Sequence, residues 1–264
     1  MSTNHCPVSN RLRQQDPEFV RGTFAAIAGR YDIANHLLSG GLDFFWRARV
    51  ARLVAAARPE RILDLATGSG DLAVALQRAC PAATVVGADF CLPMLERARR
   101  KNLRFLVHAD GLDLPFADAA FDAVTVAFGL RNMASWESAL REISRVLRPC
   151  GLAVVLDFSL PSSAPIRAAY RIYLHRVLPV VAGCVTGRAD AYRYLGESIE
   201  KFPSGPAMVA LLDSCGLVPG RPQPMCFGVV SLYPATRPGA AGNGRLDGRE
   251  FAAGLEAINL CRNP

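Results

Sequence analysis

Residues 61–72 read RILDLATGSGDL, and the order of residue types in this stretch decides the fold. An apolar run over 61–66 has the length of a buried strand, and it breaks at Gly68, Ser69 and Gly70 before a helical pattern starts at Asp71. Glycine admits left-handed backbone and lets a ligand approach where a Cβ would clash, and the helix start behind the turn offers unpaired N–H groups. Working outward, short apolar runs at 84–89, 103–108, 121–128 and 152–158 alternate with helical patterns at 71–79, 91–100 and 136–146. That alternation predicts an α/β fold with a Rossmann-like, mostly parallel sheet and helices on both faces. Two later runs, 217–218 and 226–233, read as an antiparallel edge that brings the sheet to seven strands.

The rest of the chain is organised around this unit. Residues 1–16 are polar and read as a loose lead-in, 17–233 as the main domain with a helical insertion over 165–200, and 234–264 as a Gly-, Pro- and Arg-rich extension holding one short helical pattern at 249–260. Ahead of the first strand, one helical pattern carries Phe19, Phe24, Ile27 and Ala28 and a second carries Phe44, Phe45, Ala48, Val50, Ala51 and Val54. With 264 residues, 51% hydrophobic and 20% charged, the chain has ample apolar area for a core and no signature of disorder. Its longest apolar stretches are shorter than a bilayer span, and the N-terminus lacks the apolar centre of a secretory signal, so the expected location is the cytoplasm. Eight cysteines without a Cys-x-x-Cys pair argue against a disulfide scaffold or a zinc site. A formal charge of +7 without a basic, aromatic-bearing module does not predict a nucleic-acid partner.

The glycine turn alone fits two cofactors. Gly68, Gly70 and Ala73 match the dinucleotide pattern, which keeps a nicotinamide oxidoreductase as a rival. Asp64, four residues ahead of Gly68, favours a cationic ligand and would repel a pyrophosphate. Asp89 at the end of the second strand suits a ribose, since a carboxylate accepts hydrogen bonds from both hydroxyls. The segment VHADGLDLPFADAAFDAVTVAF (107–128) resembles the third and fourth motifs of class I methyltransferases, which implies Asp110 and Gly111 at an adenine. Together these features lead to S-adenosyl-L-methionine, held by Asp64, Gly68, Ser69, Gly70, Asp89, Asp110 and Gly111, with no metal.

Four segments carry a closer resemblance: FAAIAGRYDIANHLLSGGLDFFWR (24–47), LDLATGSGDLA (63–73), TVAFGLRNM (125–133) and REISRVLRPCGLAVVLDFSLP (141–161). With DAYRYLGESIEKFP (190–203) they are similar to the ubiquinone/menaquinone biosynthesis C-methyltransferase family over about 19–233. The chain departs from that family's usual pattern at Ala34 and Asp43, at Cys150 where a glycine is usual, and at Asp157 where a glutamate is usual. If the turn at 149–151 needs positive φ, the expectation is that Gly151 takes it rather than Cys150. The resemblance implies methylation of a polyprenyl quinol ring carbon, demethylmenaquinol or the methoxybenzoquinol of the ubiquinone route. It also implies Arg131, Asn132 and Tyr31 as the catalytic residues. Arg131 stays protonated and would polarise a phenolate or position a water rather than act as a base; His36 near Tyr31 is the other candidate base. Alternatives are a methyltransferase for RNA or another small molecule and a noncatalytic scaffold.

A polyprenyl substrate lives in the bilayer. Ile166, Tyr170, Tyr173, Leu174, Val177 and Leu178 fall at helical spacing with Arg167, Arg171 and Arg176 mostly off the stripe, a basic amphipathic helix that suits peripheral membrane contact, a lipid-tail channel or a homodimer face.

Overall fold

The structure, a computed structural model, describes residues 39–180 and 189–239 together with Gly22 and Gly183. The first amphipathic pattern, Tyr31, His36 and the C-terminal helical pattern lie outside the described residues. Helices are α1 Leu42–Ala56, α2 Asp71–Ala79, α3 Leu92–Arg99, α4 Trp136–Val146, α5 Ala164–Ile172, α6 Ala189–Lys201 and α7 Pro206–Ser214; strands are β1 Arg61–Leu65, β2 Thr84–Asp89, β3 Phe105–His108, β4 Phe121–Ala127, β5 Leu147–Phe158, β6 Val218–Pro219, β7 Gln223–Met225 and β8 Val230–Thr236.

The sheet order is β3-β2-β1-β4-β5-β8-β6, with β7 also on β8. The first five strands pair in parallel, and β8 runs antiparallel to β5. β6 and β7 pair with opposite ends of β8, Val218 with Thr236 and Met225 with Val230, so the eight strands fill seven positions. The seven-position sheet of the sequence reading is present, with its last edge strand interrupted.

Successive strand residues face opposite sides. Leu63, Leu65, Val124, Val126, Ala153 and Val155 pack with Leu140 and Ile143 of α4 and Leu212 of α7 on one face. On the other face, Ile62, Ala123, Leu152 and Val154 pack with Val50 and Val54 of α1 and with Leu72 and Leu76 of α2. The switch point between β1 and β4, where such sheets keep their ligands, therefore opens at the carboxyl ends of β1, β2, β4 and β5.

Three expectations are corrected. Phe44 and Phe45 are exposed, and α1 buries Trp46 and Leu53 beside the expected Val50, Ala51 and Val54. Cys150 itself takes positive φ (64°), while Gly151 is fixed by crowding: a Cβ there would lie 2.8 Å from Arg148 O and 3.1 Å from Asp122 O. The run at 226–233 is a 3-10 turn, Cys226–Gly228, followed by β8.

Candidate active site

The first turn is built from left-handed backbone at Ala66 (φ 53°), Gly68 (57°) and Gly70 (87°). Gly70 caps α2 and is there for packing, since a Cβ would lie 2.4 Å from Leu103 Cδ1 and 3.1 Å from Ala98 Cβ. Gly68 faces open space, with no atom within 4 Å of its would-be Cβ. Its N–H donates to Asp89 Oδ2 at 2.8 Å, and Cys91 N–H donates to Oδ1 at 2.9 Å. Burial pushes the Asp89 carboxyl up, and these two N–H bonds oppose that by favouring the anion. Lys101 Nζ donates to Ser69 Oγ at 3.3 Å and pairs with Asp71, while Arg47 of α1 bridges Asp43 and Asp71. A chain of charges thus ties α1 to the turn.

Asp64 lies beneath this turn, almost wholly buried. Thr67 Oγ1 donates to one oxygen at 2.7 Å and Thr125 Oγ1 to the other at 2.8 Å. Thr125 is the register partner of Asp64 across β4, so the strand pairing itself delivers the donor. Burial raises the carboxyl from 3.8 to about 6, against the two hydroxyls and Arg47. Asp64 is therefore a buried negative source that shapes the turn from below.

Beside the turn opens a crevice at the carboxyl ends of β1 and β2. Asp89 stands in it with Leu65, Phe90 and Leu112 as apolar walls, and Asn132 and Met133 close the side toward β4. Asp110 and Gly111 line it too; Asp110 Oδ1 accepts from Leu112 N–H at 2.9 Å, and a Cβ on Gly111 would sit 3.1 Å from the Met133 sulfur. Such a crevice, with apolar walls and a few polar side chains in Asp89, Asp110 and Asn132, has the mixed composition of a small-molecule site.

The second turn, FGLRN, follows β4. Phe128 takes positive φ (58°), and Gly129 abuts the first turn so closely that a Cβ would lie 2.4 Å from Ala66 Cβ. Arg131 is buried, and its Nη1 donates to Phe128 O at 2.6 Å and to Asp157 Oδ1 at 2.7 Å. Its guanidinium lies over the Phe158 ring, 5.2 Å from the centroid. Asn132 Nδ2 donates to Phe128 O at 3.3 Å. Trp46, Phe128 and Phe158 form an aromatic cluster with centroids 4.8 to 6.4 Å apart, and Phe158 packs with Tyr170 of α5 and the following Tyr173 against Leu174, Leu178 and Ile199.

The structure brings Asp89, Asp110, Gly111 and Asn132 into the lining of one crevice, ties the Gly68 to Gly70 turn to it through the Gly68 N–H on Asp89, and sets Asp64 under that turn and Arg131 on the turn after β4. Sequence reasoning missed Thr67 and Thr125, for which a hydroxyl in an otherwise apolar strand opposite a buried acid is the signal. It also missed the pairing of Arg131 with Asp157, which nothing in their spacing announces.

The sheet order is that of the class I S-adenosylmethionine-dependent methyltransferase fold. An S-adenosylmethionine-dependent methyltransferase from Thermotoga maritima superposes with a TM-score of 0.59 at 16% identity, covering 83% of this chain and 99% of that one. The ubiE/COQ5 methyltransferase family model matches residues 11–237, and the chain belongs to that family of methyltransferases. Among its relatives, the demethylmenaquinone methyltransferase of Thermus thermophilus is 49% identical, over 81% of this chain and all of that protein. The ubiquinone/menaquinone biosynthesis C-methyltransferase UbiE of Syntrophotalea carbinolica is 40% identical, over 82% and 93%.

Proposed function

We propose that the protein methylates a ring carbon of a reduced polyprenyl quinol, converting demethylmenaquinol to menaquinol. The observation that carries this reading is the close approach of two turns, one beside a crevice lined by Asp89 and Asp110 and the other presenting Arg131 and Asn132 next to an aromatic cluster. The names of the relatives support the quinol and favour the naphthoquinol; the alternative acceptor is a 2-polyprenyl-6-methoxy-1,4-benzoquinol.

The residues fit S-adenosylmethionine: Gly68 leaves open space that a side chain would enter, and Asp89 offers a carboxylate to a ribose. Asp110 and Gly111 flank the adenine end, Ser69 and Gly70 hold the shape of the turn, and the buried Asp64 adds negative potential beneath it. When bound, that cofactor supplies a methyl group activated by a sulfonium. The protein's part is to make the quinol nucleophilic and to align it. Loss of the phenolic proton puts electron density on the ring carbon ortho to the oxygen. Arg131, with Asn132 and Tyr31, stabilises that charge. The overall balance is one methyl gained by the ring and one proton released from it.

Purified protein given S-adenosylmethionine and either reduced quinone should convert demethylmenaquinol faster than the benzoquinol. Preference for the benzoquinol reverses the substrate assignment, and turnover of neither refutes it. Titration with S-adenosylhomocysteine and with NADH tests the cofactor; binding of NADH alone overturns it.

The proposal extends to the membrane. α5 and the turn that continues it expose Ile166, Ile172 and Val177, bury Leu174 and Leu178, and carry exposed Arg171 and Arg176. This face suits contact with an anionic bilayer that holds the prenyl tail.

A further inference from the structure

The Arg131–Asp157 pair joins the carboxyl ends of β4 and β5 and is almost completely enclosed, with Arg131 6% and Asp157 0% exposed. Two charges at such depth are costly unless hydrogen bonds close their remaining valences. Here they do not. Asp157 Oδ1 accepts from Arg131 Nη1 and from Phe158 N–H, while Asp157 Oδ2 and Arg131 Nε have no partner among the described residues. A pair kept only for stability would be expected to close these valences, and buried groups left open mark functional sites. The pair also sits where a quinol ring would arrive: Phe158 lies under the guanidinium, and the phenol of Tyr170 on α5 feels the charge of both partners.

Resting on the quinol reading above, we infer that Asp157 is a positioning residue for methyl transfer, which as an anion fixes Arg131 at the aromatic cluster. With Asp157 ionised the pair is close to neutral, and Arg131 holds its geometry without a substrate. Burial pushes the Asp157 carboxyl up, so protonation in acid weakens the bond that fixes Arg131. Among the described residues, the titratable and charged groups that face Asp157 are Arg131 from the turn after β4 and Tyr170 from α5.

Asp157→Asn keeps the size and one acceptor and removes the charge; Asp157→Glu keeps the charge one methylene further out. Both are assayed as full-length protein with reduced demethylmenaquinone in detergent micelles, beside titration with S-adenosylhomocysteine. The expected result is a fall in kcat of about 100-fold for Asp157→Asn, unchanged affinity for S-adenosylhomocysteine, and loss of the acid limb of the kcat profile against pH. Asp157→Glu should recover about a tenth or more of the wild-type kcat. Wild-type kcat in Asp157→Asn overturns the inference, and so does a parallel loss of activity and S-adenosylhomocysteine binding. If Asp157→Asn does not fold, Asp157→Glu decides: a displaced acid limb with unchanged affinity supports the inference, and an unmoved limb overturns it. A wild type that turns over no quinol fails the substrate reading and takes this inference with it, whereas an active wild type with an equally active Asp157→Asn fails the inference alone.

Discussion

Gly68 and Gly70 both hold positive φ, but their missing β-carbons answer to different neighbours. An alanine at 70 drives into Leu103 and Ala98 inside the core, so Gly70→Ala should lower stability by about 2–3 kcal/mol in urea unfolding. An alanine at 68 meets nothing in the protein, and Gly68→Ala should destabilise by about 1 kcal/mol, from backbone strain alone. Its larger effect should fall on S-adenosylhomocysteine affinity, read by titration calorimetry. If the two variants lose stability and affinity in the same proportion, the division between a packing glycine and a ligand-facing one is wrong.

Among the elements, the turn into the long part of β5 stores strain at one residue. Cys150 is exposed, takes φ 64°, and its N–H is fixed by Arg237 O at 3.0 Å. Cys150→Gly should therefore stabilise the fold by about 0.5–1 kcal/mol, the relief of left-handed strain less the glycine's greater freedom when unfolded. An unchanged or lower urea midpoint would contradict it. β1, β2, β4 and the buried part of β5 were legible in sequence because strands covered on both faces read as continuous apolar runs. α2 and α4 were legible to the residue, their ends marked by Gly70 and by Ser135, whose hydroxyl accepts from Ser138 N–H. α1 was placed but its buried face was misread, because LDFFWRARVARLVAA spreads apolar residues around the whole helix and only docking on β4 and β5 chooses a side. β7 escaped notice since Gln223, Pro224 and Met225 lack strand character and are held by pairing with β8. The glycine turn and the strand-end acids were readable for a different reason: they are local signals. The Arg131, Asp157 and Phe158 grouping was not, since it forms only when β4 and β5 lie side by side.

On the scale of the whole molecule, three acids are buried near the carboxyl edge of the sheet, and burial raises all of them: Asp64, Asp89 and Asp157. Such a group binds a proton more tightly folded than unfolded, so its contribution to stability falls as pH rises through the interval between the two values. For Asp64 that interval runs from 3.8 to about 6, and the loss is about 3 kcal/mol, flat above it. Asp64→Asn should accordingly lose less stability than wild type between pH 4 and pH 6 in urea titrations. Parallel pH curves for the two proteins would refute the assignment. For the membrane face, Arg167→Glu/Arg171→Glu/Arg176→Glu should lower co-flotation with vesicles containing phosphatidylglycerol, and equal flotation removes the proposed contact. The seam between Gly129 and Ala66 has an evolutionary consequence. A chimaera that imports one of these two turns from a distant homologue, without its mate, inherits a mismatched joint; the pair must be transplanted together, as one inherited module.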